Sequence, residues 1–186
     1  MSRQKLPLPG IVVLCLSFAG PAFSHEFNLL LLAPTGTSQA EIEDMRVAFL
    51  IASHERDAHP DETSEGHLGG LDVQLTLATP HTTSANAALA FVAAPLSPPG
   101  DARIAALAAP GDAVVVDALA LAPLSASLQV ENADITVFAD QFRAETGRAP
   151  GEAALGAYRA ARVVDLAVRS LGSVDDRDAL RRTLAP

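Results

Sequence analysis

Phe138-Ala-Asp-Gln-Phe142-Arg-Ala-Glu-Thr-Gly147-Arg-Ala-Pro150, followed by Ala153-Ala-Leu-Gly-Ala-Tyr158-Arg-Ala-Ala161-Arg-Val-Val-Asp165-Leu-Ala167, is the stretch on which the fold turns. Val137, Phe138 and Phe142 fall on one face of a helix, and Gly147 suits the residue just past its end. Ala154, Ala157, Ala161, Val164, Val168 and Leu171 make a second helical stripe. Its small residues allow a neighbouring helix to approach closely. Ser173 with Asp176 three residues on has the pattern of a capped third helix, its acid placed to favour the helix N-terminus. Tyr158 reads as a core residue. Arg159, Arg162 and Asp165 read as a polar surface cluster, in which the 162–165 pair is worth a few tenths of a kcal/mol when exposed, roughly.

Upstream, apolar runs alternate with helical patterns. Phe27–Ala33 is nearly continuous, as expected of a strand buried on both faces of a parallel sheet. Pro34-Thr-Gly36-Thr makes a turn, and Ser38 can cap a helix in which Ile42, Met45, Phe49 and Ala52 recur at helical spacing. Gly69-Gly70 leads into Val73-Gln-Leu75-Thr-Leu77, an alternating strand. Ala88–Ala94 and Ala113–Ala118 read as two more strands, with a helix-like Ala102–Ala109 between them. Strands alternating with helices predict right-handed βαβ units, and hence an α/β three-layer sandwich with a mainly parallel sheet and C-terminal helices. Thr79–Ala87 is short for a crossover between parallel strands, so this reading leaves the strand order there open.

The first 24 residues read as an export signal. Arg3 and Lys5 form the charged start, Ile11–Ala19 the apolar run, and Ala22-Phe-Ser24 the cleavage site. Cys15 sits inside the apolar run, which Leu16-Ser-Phe-Ala continues, so it does not read as a lipid-anchored cysteine. Cleavage after Ser24 leaves residues 25–186 as one domain in the periplasm, beginning at His25. Without Cys15 that chain has no cysteine, which excludes disulfides, thiolate nucleophiles and Cys-ligated zinc. Without Arg3 and Lys5 it carries 11 basic residues, all arginine, against 22 acidic ones, a net charge of −11. A nucleic-acid partner would want a basic face, so none is expected. No later stretch has the length of a membrane span. With no lysine, Schiff-base chemistry is excluded; with no Trp, an aromatic sugar platform is not expected.

The order of the closing helices resembles the final segment of the type 1 periplasmic solute-binding proteins, the branched-chain amino-acid-binding group of ABC importers. Leu29–Ala33 with Pro34 and Gly36, the helix containing Glu43-Asp-Met45-Arg-Val-Ala48, and Gly69-Gly-Leu-Asp-Val73 are similar to that family's opening strand, helix and second strand. The resemblance implies a periplasmic binding protein-like I fold. It also implies non-covalent capture of a small polar solute such as an amino acid, and an ABC permease or another periplasmic protein as partner. Leu96-Ser97 looks like the loop where the family places a ligand-contacting hydroxyl. The family has two lobes, whereas this chain has residues for about one, and only Pro123-Leu-Ser-Ala-Ser127 stands where the second lobe would be inserted.

Ligands of open α/β sheets sit outside the C-terminal ends of the strands. That rule places Thr35, Gly36, Thr37 and Ser97 near any pocket: Thr35 and Ser97 offer hydroxyls, and Gly36 lets a solute near the backbone. Asp117, at the end of the last strand, can accept an ammonium group. The alternative reading makes Thr35 and Ser97 turn residues or helix caps and Asp117 a solvated acid.

All five histidines, His25, His54, His59, His67 and His81, lie in the first half of the chain. His54, His59 and His67 are interspersed with Glu55, Asp57, Asp61, Glu62 and Glu65, a mixture that suits zinc, nickel or copper, and an N-terminal His25 can chelate copper. Their spacing matches no tight ligand pair, so a solvated loop is the competing reading. There is no G-x-S-x-G, Walker loop or H-E-x-x-H, so neither an enzyme nor a cofactor is expected. Three functions remain open on sequence: solute binding, an accessory protein that has lost its solute site, and metal binding through residues 54–67.

Overall fold

A computed structural model describes residues 26–32, 36–55, 66–78, 89–94, 114–117 and 132–185. Five strands form one sheet: β1 (Glu26–Leu32), β2 (His67–Leu68), β3 (Leu71–Ala78), β4 (Leu89–Ala94) and β5 (Val114–Asp117), in the order β2-β3-β1-β4-β5. The leucine run of β1 sits at the centre because it can be buried on both sides. Phe27, Leu29 and Leu31 point one way into the core, and Leu30, alternating to the other face, is only 1% exposed.

β1 pairs in parallel with β3, from Glu26 opposite Asp72 to Leu32 opposite Ala78. On its other side it pairs in parallel with β4, with a register shift between Asn28 and Leu29. β5 continues the parallel pairing beyond β4. The chain is α/β with a mixed sheet, because β2 and β3 are antiparallel. The strand order that the short 79–87 connection left open is thus settled: the chain passes from β3 across β1 to reach β4.

The antiparallel pair departs from the sequence reading, in which Gly69-Gly70 only introduced a strand. The two glycines are the whole turn of a hairpin, with φ of 67° and 86°, the two positive values that a two-residue hairpin of matching twist requires. Gly69 has a second constraint. A Cβ there would lie 2.5 Å from the Cβ of Val168, so the turn rests directly on a helix.

Four helices accompany the sheet: α1 (Gln39–His54), α2 (Asn132–Thr146), α3 (Glu152–Leu171) and α4 (Arg177–Thr183). In α1, Ile42, Met45, Ala48, Phe49 and Ala52 are buried, and they pack on the small residues Ala154, Ala157, Ala161 and Val164 of α3. Close approach of two helices through alanines removes much apolar surface at little entropic cost, since alanine has no rotamers to lose. Tyr158 of α3 stacks on Phe138 of α2 at 4.2 Å between ring centroids, and Phe138 meets Phe142 at 5.7 Å. The residue after α2 in the left-handed conformation is Gly147, whose N–H donates to the Arg143 carbonyl. Just beyond it the Arg148 guanidinium grips the buried Asp44 carboxylate of α1 with two parallel bonds, fixing α2 along α1.

Three details of the helix reading are corrected. Val137 is 53% exposed and Leu171 36% exposed, so neither belongs to its stripe. Val137 lies about 100° around the helix from Phe138, outside the arc that Phe138 and Phe142 define, and Leu171 is the last residue of α3. The cap of α4 is Asp176, which accepts from the Ala179 N–H at 2.8 Å, while the Ser173 hydroxyl is engaged with Asp175. The helix-like Ala102–Ala109 and the Pro123–Ser127 segment lie outside the described residues. Among the described residues no helix is long and apolar enough to cross a membrane.

Candidate functional site

β1 and β4 are adjacent and parallel, and their outer neighbours lie on opposite sides: β3 beyond β1, β5 beyond β4. The chain therefore goes from β1 to strands on one side of it and from β4 to a strand on the other, and such a reversal of strand order is where ligands of open α/β sheets bind. Gly36 stands in the connection after β1. Its φ of 93° is a backbone state that side chains resist, and a Cβ there would meet no described residue within 4 Å. Thr37 beside it is partly buried. Asp117 ends β5, opposite Ala94 of β4, which puts its backbone two strands from β1, roughly 10 Å across the sheet. Thr35 and Ser97 lie outside the described residues.

α1 begins just after Gly36, and its N-terminus is closed by its own side chains. Ser38 Oγ accepts from the Glu41 N–H at 3.3 Å. Glu41 Oε2 in turn accepts from the Ser38 N–H at 3.0 Å and from the Ser38 hydroxyl at 2.7 Å. The bonds from Ser38 hold the Glu41 carboxyl below its ordinary range. A fixed carboxylate on the first turn offsets the positive end of the helix, so a phosphate or sulfate is disfavoured here.

Two of the candidate metal ligands are described. His54 is exposed at the end of α1. His67, on β2, places Nε2 2.6 Å from Asp72 Oδ1, its cross-strand partner. Among the described residues no group of three or more His, Cys, Asp or Glu is arranged to hold a metal ion. His25 and His59 lie outside the described residues.

A polar centre that the sequence reading assigned to the surface is buried. Arg162 is 3% exposed and Asp165 1%. Arg162 Nη1 lies 3.5 Å from Glu55 Oε2 and 3.7 Å from Asp165 Oδ2, and its Nη2 lies 3.9 Å from Asp134 Oδ2. Tyr158 Oη donates to Glu55 Oε1 at 2.8 Å. Asp165 Oδ1 accepts from the Gly69 N–H at 2.8 Å and from Arg169 Nη2 at 3.0 Å. Burial, reinforced by the bond to Glu55 and its charge, pushes the Tyr158 hydroxyl well above the ordinary tyrosine range. Arg162 Nε and Nη1 and Asp165 Oδ2 make no hydrogen bond, so the guanidinium is held by charge more than by directed bonds.

One guanidinium thus ties together the end of α1, the start of α2 and the middle of α3, and Asp165 extends the network to the hairpin turn. The sequence carried a signal for it. Tyr158, Arg162 and Asp165 are spaced i, i+4, i+7 and so share the buried face of α3. Arg159, grouped with them on sequence, is only partly buried.

A shallow cleft of about 230 Å³ lies at the other end of α1 from Gly36, lined by Ile51, His54, Glu55, Gln141, Ala144 and Glu145. No family model, curated protein or solved structure matches this chain.

Proposed function

We propose that this chain is an exported, solute-binding-like protein, a single lobe of three-layer α/β architecture with the type 1 solute-binding topology. In this reading it captures a small polar solute such as an amino acid and works with an ABC permease or another periplasmic protein. The observation that carries the reading is the strand order, with its reversal between β1 and β4 and the side-chain-free peptide at Gly36, which meets no described residue, in the connection after β1. Burial on both faces of β1 supports a sheet covered on two sides. Capture is non-covalent: hydroxyls of Thr35 and Ser97 and the backbone at Gly36 orient the solute, and Asp117 receives its ammonium group. The Glu41 carboxylate at the mouth favours zwitterions or neutral solutes over multiply charged anions. With one lobe the solute stays open to water on one side, so the dissociation constant is weak unless a partner supplies the other wall. Calorimetry of the purified protein against amino acids, small acids and alcohols tests this. Heat with one of them, lost in Asp117→Asn, supports it; no heat with any overturns it.

A second reading has its own observation in favour. The hydroxyl and N–H of Ser38, groups that a solute at the α1 terminus would use, are already satisfied by Glu41. A site closed in this way fits an accessory protein that binds another protein and no solute. Co-purification with a stoichiometric partner, together with no heat in the calorimeter, selects this reading over the first.

A further inference from the structure

We draw no further inference here: the strongest candidate, the cleft between the last turn of α1 and the face of α2 lined by His54, Glu55, Gln141 and Glu145, carries nothing because Glu55 is already engaged by Tyr158 and Arg162 and, among the described residues, no buried unpaired group on its walls points to a ligand.

Discussion

Tyr158 is the one tyrosine in a chain without tryptophan, so its ionisation can be followed without interference. Its hydroxyl is buried and donates to a carboxylate that would repel the phenolate, which raises its pKa above the ordinary 10.0. A group whose folded pKa is raised adds stability that is full below the unfolded pKa and is lost as pH climbs toward the folded one. Tyrosinate absorbance near 295 nm should therefore stay low in the native protein as pH passes 10, and should follow a pKa of about 10 in urea. A native titration at the ordinary value would place the hydroxyl in water.

Arg162 gives the complementary test. Arg162→Met removes the cation that Glu55 and Asp165 share, Asp165 keeping Arg169, and removing one partner of a buried pair costs about 3–5 kcal/mol. Urea denaturation should show that loss. Arg162→Met combined with Asp165→Asn should recover part of it, because the amide oxygen still accepts from the Gly69 N–H while one buried charge is gone. If Arg162→Met is neutral, the guanidinium is solvated.

Among the elements, the β2–β3 hairpin and α3 are the most tightly interdependent. Gly69 and Gly70 both have positive φ, so an alanine at either pays a backbone strain of about 1–2 kcal/mol. Of the two, Gly69 also faces Val168 and the Arg169 amide at 2.5–2.7 Å, whereas a Cβ on Gly70 would meet no described residue within 4 Å. Gly69→Ala should therefore be the more damaging of the two, and the difference in their denaturation midpoints measures the docking of hairpin on helix. Equal midpoints would mean that the turn does not touch α3. This hairpin also marks what the sequence could reveal. β1, α1 and the stripe from Ala154 to Val168 were legible because each has a period or an unbroken run, and the Ser38 cap because its partner lies three residues away. β2 is two residues long and has no period to detect. The burial of Arg162 depends on Glu55, far away in sequence, and on Asp134 at the start of another helix. A single helix pattern shows which residues share a face, but only the fold shows which of those faces is buried.

For the whole molecule, the proposed export has a consequence that needs no ligand. The one cysteine, Cys15, and the one lysine, Lys5, both precede the expected cleavage point after Ser24. Cleavage at that point, as proposed, would remove every thiol and every side-chain amine at once. Protein recovered from the periplasm should give no reaction with a thiol reagent under denaturing conditions and should take up an amine label at its N-terminus alone, starting at His25. Unprocessed chain retained in the cytoplasm should show one thiol per molecule. A thiol in the recovered protein would mean that the segment is kept, and the proposed solute-binding role would then have to be argued for a chain still attached to its apolar leader. The arginine-only basic set has the same origin in composition, and it leaves the ion pairs of the fold intact under amine modification. Activity and stability should both survive exhaustive acetylation of the mature chain, since Arg148, Arg162 and Arg169, which hold α1, α2, α3 and the hairpin together, do not react.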